Sequence, residues 1–137
     1  LFLQTYPHLF LLLQTLCGHE GSVTVVDGLY DLGIIVSAST DSTMKVWRKK
    51  SDQNWACVHT YSCPRGGFVL DIALLAFPDG SIWIFASLDD CSVRLFCIDQ
   101  DDKFQESHVL KGKQNYPFSD LPNDRATNLL FFWKKFH

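Results

Sequence analysis

The chain has 137 residues, of which 47% are hydrophobic and 20% charged, and 12 basic against 15 acidic side chains give a formal charge of −3. That length suits one domain, and the balance of apolar and charged residues excludes a disordered tail and a charge-rich coiled coil. A basic footprint is missing, so we expect no direct contact with nucleic acid.

An apolar run lies at residues 9–13 and reads Leu-Phe-Leu-Leu-Leu. It lacks the basic flank and the small-residue cleavage site of a signal peptide. It is also far shorter than the stretch of about 20 apolar residues that crosses a bilayer. We therefore expect a buried strand here and no association with a membrane.

Short runs typical of β-strands follow one another along most of the chain. Their residues are β-branched or alternate between apolar and polar, and turn-like pairs such as Asp41-Ser42 and Asp79-Gly80 separate them. No stretch before residue 120 keeps apolar residues at helical spacing over three turns. The pattern predicts an all-β core with strands near residues 22–27, 33–39, 43–48, 55–61, 68–76, 81–87, 92–97 and 104–110.

The strand pattern repeats with a period in the forties. A shift of 49 residues places residues 35–47 on residues 84–96 without a gap, so that an Asp falls on an Asp and a Trp on a Phe. A shift of 94 residues, close to two periods, places residues 16–19 on residues 110–113. Such periodicity indicates a repeat architecture.

A Gly-His pair before the strands, at Gly18-His19, and Trp47 at the end of a third strand resemble the WD-repeat β-propeller family. Each repeat of that family corresponds to a four-stranded blade. The resemblance covers residues 12–112 and implies two four-stranded antiparallel blades plus one extra strand at residues 12–17. It leaves residues 1–11 as an unassigned N-terminal segment.

Residues 113–137 form an unassigned C-terminal tail, where the resemblance to any blade stops. The charge changes at the same place. Residues 1–110 hold 7 basic and 13 acidic side chains, a net charge of −6, whereas residues 111–137 hold 5 and 2, a net charge of +3. We expect the two ends of the chain to differ in their structural role.

The resemblance also implies a structural role for His19. In WD repeats this histidine binds the Asp in the turn between the second and third strands, and a serine links it to the indole of the Trp. The matching partners here are Asp41 and Trp47. The serine is either Ser37 or Ser39, which share one face because side chains alternate along a strand. A His near an Asp also begins many acid–base sites, but we favour a structural tetrad and predict no catalytic residue.

The second repeat departs from this pattern. It keeps Asp90 in the turn, has Phe96 in place of the Trp, and has residues 62–67 in place of the Gly-His loop. The tetrad therefore cannot form there. We expect that blade to depend more on apolar packing, by Phe68, Leu70, Ile72, Trp83, Phe85, Val93 and Leu95.

Several other residues are candidates for metal chemistry. Cys57, His59 and Cys63 resemble part of a zinc site, but no fourth ligand lies nearby in sequence. Residues 99–102 resemble the start of a calcium loop, but Phe104 stands where the loop needs Gly. We predict no metal and no cofactor, and we expect free, mostly buried thiols in a reducing compartment at Cys17, Cys57, Cys63, Cys91 and Cys97.

Two hairpins carry clustered charges. Residues 99–102 are acidic apart from one Gln, and a solvated hairpin explains them better than a calcium site. Residues 48–50, Arg-Lys-Lys, lie in the equivalent hairpin one repeat earlier. They either contact an acidic partner or remain solvated, and we favour the second.

Within the family, several segments resemble a double-propeller scaffold subunit of an assembly that modifies wobble uridines in transfer RNA. This resemblance implies a non-catalytic scaffold in the cytoplasm, with the nucleus as a second location. Its partners would be the catalytic radical and acetyl-transfer subunit and the large scaffold subunit of that assembly. The segments that carry the resemblance are residues 16–23, 35–42, 44–47, 88–96 and 102–107.

Two alternatives belong to other functional classes. One is a generic WD-repeat adaptor for protein–protein interaction, in ubiquitin ligation or signalling. The other, which we favour least, is an enzyme that uses His19 or a cysteine. An enzyme would need a pocket in which titratable groups converge.

Overall fold

A computed structural model describes residues 12–111. This part of the chain contains eight β-strands and two three-residue 3-10 helices, Tyr30–Leu32 and Pro64–Gly66, and no α-helix. The strands are β1 (Val23–Leu29), β2 (Ile34–Ser39), β3 (Thr43–Lys49), β4 (Trp55–Ser62), β5 (Val69–Ala76), β6 (Ile82–Leu88), β7 (Ser92–Ile98) and β8 (Phe104–Lys111).

The strands form two four-stranded antiparallel sheets in sequential order. The first blade is β1-β2-β3-β4 and the second blade is β5-β6-β7-β8. This confirms the predicted all-β fold with two four-stranded blades. Residues 1–11 and 113–137, for which we predicted unassigned segments, lie outside the described residues.

The extra strand predicted at residues 12–17 is absent from the structure. These residues adopt no regular secondary structure, and Leu12 and Leu13 are each 85% exposed instead of buried. Residues 9–11 of the apolar run lie outside the described part. A strand needs a neighbour that supplies its ladder of backbone hydrogen bonds. Residues 12–17 have no such ladder, and their contact with a strand is made by the side chain of Gln14, which bonds the backbone of Trp55.

One face of each blade contributes to a single hydrophobic core between them. Side chains alternate along each strand, so β2 and β3 direct one set of residues toward the second blade and the other set away from it. The first blade contributes Ile34, Val36, Ala38, Met44 and Val46, and the second contributes Val69, Ile72, Leu74, Ile82, Ile84, Ala86, Leu88, Phe96 and Ile98.

The two innermost strands, β1 and β5, lie side by side where the blades meet. The carboxylate of Asp27 on β1 accepts the backbone N–H of Leu74 on β5 at 3.1 Å. Both strands begin at the same end of the sheets, because Ser22 bonds Thr40 while Ser42 bonds Gly66. The loops that carry His19 and Arg65 therefore lie at one end of the two blades.

Candidate functional site

The loop before β1 lies across the turn between β2 and β3. The amide of Ser22 donates to Thr40 Oγ1 at 3.0 Å. A Cβ built on Gly21 would lie 2.5 Å from Thr40 Oγ1, and one built on Gly18 would lie 3.3 Å from the ring of Trp47. Only residues without side chains allow this close approach, which brings His19 down onto the sheet.

A chain of hydrogen bonds then runs from the third strand to the turn. The indole N–H of Trp47 donates to Ser37 Oγ at 2.8 Å, and the same oxygen lies 2.8 Å from His19 Nε2. His19 Nδ1 lies 3.0 Å from Asp41 Oδ2. Because an indole can only donate, the Ser37 hydroxyl donates onward to Nε2, and Nδ1–H donates to the carboxylate. A neutral imidazole satisfies every member of this chain.

The serine in this chain is Ser37, and Ser39 has another partner. Both lie on the face predicted for them and both are buried, at 5% and 1% exposure. Ser39 Oγ accepts the backbone N–H of Asp41 at 3.1 Å. Ser39 therefore holds the turn itself, while Ser37 links Trp47 to His19, which in turn bonds Asp41.

Thr43 is a fifth member of the cluster that sequence reasoning missed. Its hydroxyl donates to Asp41 Oδ1 at 2.6 Å, its amide donates to the same oxygen at 2.9 Å, and its Oγ1 lies 3.1 Å from His19 Nδ1. The available signal was local, since Asp79-Gly80-Ser81 and Asp90-Cys91-Ser92 repeat the spacing of an Asp and a hydroxyl residue and make the same bonds.

The environment of Asp41 favours its ionised form. Burial alone would raise the pKa of this carboxyl. The hydrogen bonds from the Thr43 hydroxyl, the Glu20 amide, His19 and the Thr43 amide outweigh burial and hold the pKa well below its usual 3.8. The carboxylate therefore stays charged at neutral pH and acts as the acceptor that anchors the loop.

This geometry suits holding the loop better than exchanging protons with a substrate. The His19 side chain is 5% exposed, and both of its ring nitrogens face protein partners. A general base must reach the proton that it removes. Among the described residues, the polar side chains of this cluster bond one another.

We expect His19→Ala to destabilise the fold by about 1–3 kcal/mol, because the buried Ser37 hydroxyl would lose its acceptor and the Asp41 carboxylate would lose one of its donors. Urea unfolding of the whole chain measures this. His108→Ala is the matched control, since His108 is exposed on β8 and its ring bonds only the neighbouring Ser107 among the described residues. Equal stability of the two variants would contradict the assigned role of His19.

The second blade replaces the tetrad with an ionic cluster centred on Arg94. Arg94 Nη1 donates to Glu106 at 2.9 Å and Nη2 lies 3.7 Å from Asp90, while the Arg94 side chain is 12% exposed. Arg94 stands 49 residues after Lys45, beside Ala86, which occupies the place of Ser37. Besides the apolar packing expected for this blade, two carboxylates and the guanidinium of Arg94 therefore lie at this position, a feature that the sequence pattern did not predict.

The apolar residues predicted to hold the second blade divide into two groups. Ile72, Phe85 and Leu95 are buried, whereas Trp83 and Val93 are half-buried. Phe68 and Leu70 are 40% and 57% exposed, so their predicted role in the core is wrong. Leu70 lies at a bulge where the register of β5 shifts, which turns it out of the core.

An aromatic column joins the outer strands of the two blades. The ring of Phe96 packs on Tyr61 of the first blade and on Phe104, with 4.7 Å and 5.2 Å between the ring centroids. Phe104 also stacks on His59, with 5.2 Å between the ring centroids. Burial, and then the nearby Glu106 carboxylate, raise the pKa of Tyr61 to about 12. Phe96 thus occupies the place of a tetrad Trp but serves the joint between blades.

Comparison with known proteins matches the chain to the family described as WD domain, G-beta repeat, over residues 10–48 and 55–97. These two matches cover more than half of the chain, and each is offset from a blade by one strand: the first includes β1, β2 and β3, and the second includes β4 of the first blade and β5, β6 and β7 of the second. The chain belongs to the WD40 repeat family.

Three relatives illustrate the similarity. Elongator complex protein 2 from Mus musculus is 36% identical over 108 residues, and the protein of the same name from Homo sapiens is 33% identical over 108 residues. Pre-mRNA-processing factor 19 homolog 2 from Arabidopsis thaliana is 33% identical over 78 residues, which is 57% of this chain and 14% of that protein. The Elongator matches cover 72% of this chain but 13% of each relative.

The cysteines of this WD40 chain form no metal site among residues 12–111. All five are free, as expected, but Cys17, Cys57 and Cys91 are exposed, so the expectation of mostly buried thiols is wrong. Only Cys63 is fully buried, and burial raises the pKa of its thiol. His59 stacks on an aromatic ring and its Nε2 lies 3.0 Å from the carbonyl of Asp102.

The charged hairpins of the two WD repeats contact each other. Asp99 Oδ1 accepts the amides of Asp101 and Lys103, as in an ordinary polar turn. Arg48 Nη2 donates to Asp102 at 2.6 Å, so the acidic partner of the basic hairpin lies in the next repeat. Within the described part of the chain, no helix is long and apolar enough to cross a membrane.

Proposed function

We propose that the chain forms part of a non-catalytic scaffold subunit of Elongator, which supports the modification of wobble uridines in transfer RNA. The observation that carries this proposal is the similarity to Elongator complex protein 2 over 72% of the chain. That span is longer than either repeat, so the similarity includes the second repeat, which lacks the Gly-His pair and the Trp of the first.

The internal use of polar groups supports a scaffold role. His19, Asp41 and Ser37 bond one another, and Arg94 bonds Glu106 of its own blade. WD40 repeats serve protein–protein interaction, and specificity lies on their loops and rims. The proposed partners are the catalytic radical and acetyl-transfer subunit and the large scaffold subunit of Elongator. The proposed location is the cytoplasm, with the nucleus as a second compartment.

A second candidate is a generic WD-repeat adaptor in ubiquitin ligation or signalling. The 33% identity to the Arabidopsis Pre-mRNA-processing factor 19 homolog 2 favours it, because this relative is similar to the chain without carrying the Elongator name. The two candidates differ in their partners rather than in their fold. Sequence beyond this chain that continues through two propellers would favour Elongator.

Affinity capture of the tagged full-length product from its native cells tests the proposal. We expect the catalytic radical and acetyl-transfer subunit and the large scaffold subunit to be recovered together with the tagged protein, in amounts that resist washing at raised salt. An untagged strain and an unrelated tagged WD40 protein are the controls. Recovery of a ubiquitin ligase or signalling complex without these two subunits would support the adaptor.

A further inference from the structure

The turn of the second blade that corresponds to the His19 loop has a strained backbone. A Cβ on Gly67 would lie 2.5 Å from Asp89, just as one on Gly21 would lie 2.5 Å from Thr40. Gly67 therefore occupies the place of Gly21, and Arg65 the place of His19. Arg65 has φ 58° and ψ 25°, a left-handed conformation that costs free energy for any residue with a side chain.

The side chain at this strained position is an exposed cation with unused donors. Arg65 is exposed, and within residues 12–111 its guanidinium makes neither a hydrogen bond nor an ion pair. The nearby carboxylates are already engaged. Asp89 accepts the amide of Phe68 at 3.1 Å, and Asp90 binds Ser92 and Arg94. In the first blade the residue at this position, His19, bonds Ser37 and Asp41, whereas in the second blade Arg65 is exposed.

Large apolar side chains lie exposed at the same end of the blades. Phe68 follows Arg65 by three residues and is 40% exposed, and Leu70 is 57% exposed. Val23, at the start of the adjacent innermost strand, is 50% exposed. We name Val23, Arg65, Phe68 and Leu70 the Arg65 surface. Arginine beside exposed apolar and aromatic groups is typical of residues that dominate the energy of protein interfaces.

We propose that the Arg65 surface docks a segment of a partner protein that presents one carboxylate next to a large apolar side chain. A guanidinium binds a carboxylate through two parallel hydrogen bonds, and Phe68 and Leu70 supply the apolar contact. A single carboxylate fits better than an acidic run, because the chain carries a net charge of −3 and the turns of the second blade already hold the carboxylates of Asp89 and Asp90. The proposal names a binding surface and is independent of the assignment to Elongator.

Selection from a library of short randomised peptides displayed on phage, with the whole chain as bait, tests the proposal. We expect the selected peptides to place Asp or Glu beside Leu, Ile, Phe or Trp. Arg65→Gly should weaken their binding by about tenfold or more, the size of a hot-spot truncation. The same variant should raise the thermal midpoint, because Gly adopts the left-handed turn without strain.

Lys50→Gly is the matched control, since Lys50 is an exposed cation on a hairpin at the other end of the blades, and it should leave peptide binding unchanged. Selected peptides without a carboxylate, or equal binding to Arg65→Gly, would overturn the proposal. The proposal would also be overturned if no peptide binds and Arg65→Gly instead abolishes binding to a single-stranded RNA or abolishes self-association measured by sedimentation. These results would assign the surface to nucleic acid or to a second copy of the chain.

Discussion

Phe96→Ala should lower the free energy of unfolding by about 3–5 kcal/mol, the range seen when a buried Phe is truncated. Phe96 is fully buried and contacts Tyr61 of the first blade and Phe104 of its own blade. The substitution removes the central ring of the aromatic column and leaves a cavity between the blades. Urea unfolding followed by far-ultraviolet circular dichroism measures the change.

Phe68→Ala is the control for Phe96→Ala, because it removes the same number of atoms from a ring that is 40% exposed. We expect it to cost less than about 1 kcal/mol, as is usual for a surface position. If the two variants lose the same free energy, Phe96 does not join the blades and the described core is wrong. Tryptophan fluorescence gives a second measure that reports on both blades, since Trp47 and Trp55 lie in the first blade and Trp83 in the second.

Asp41→Ala should destabilise the chain by about 2–3 kcal/mol, near the upper end for hydrogen bonds to a charged group. The substitution removes the acceptor for Glu20, His19 and Thr43 together. These donors lie at a partly buried turn where water replaces the carboxylate incompletely. Asp52→Ala is the matched control, because Asp52 is exposed and bonds only Asn54.

The stability contributed by Asp41 should depend on pH in one direction. Burial opposes ionisation of this carboxyl, but the hydrogen bonds outweigh it and lower the pKa below 3.8 in the folded chain. The unfolded chain therefore binds a proton first as the pH falls. The contribution is complete above the unfolded pKa and is lost as the pH falls from there toward the folded pKa.

Measured from neutral pH downward, the difference in unfolding free energy between the natural chain and Asp41→Ala should stay constant to about pH 5 and then shrink. Asp52→Ala should lose less on the same path, because solvent screens an exposed carboxylate. A difference that grows on acidification would show that the folded pKa of Asp41 is raised rather than lowered.

Local and repeated features could be predicted from the sequence. The shift of 49 residues aligns two strand–turn–strand units. The turn of each unit has a residue with a left-handed backbone conformation in the middle, Ser42 in the first and Cys91 in the second. His19, Asp41 and Trp47 come together because short hairpins determine which residues face each other. Thr43 was within reach of the same reasoning, since its bond to Asp41 spans two residues.

Features that depend on a bulge within a hairpin or on the packing of one blade on the other could not be predicted. Arg94 meets Glu106 only because the β7–β8 ladder contains a bulge between Leu95 and Phe96. The bond from Leu74 to Asp27 requires the packing of one blade on the other. The strand predicted at residues 12–17 does not form for a related reason. A segment with β-propensity becomes a strand only where a neighbouring strand pairs with it.

Wobble-uridine modification in transfer RNA, measured against the amount of folded protein, tests most directly whether this chain belongs to a scaffold. The full-length gene is deleted and then replaced by the natural sequence, His19→Ala or Asp41→Ala, and modified nucleosides are quantified by mass spectrometry. We predict that modification is lost on deletion and returns in proportion to the abundance of each variant. Modification that survives deletion, or that is abolished by His19→Ala at unchanged abundance, would contradict the account.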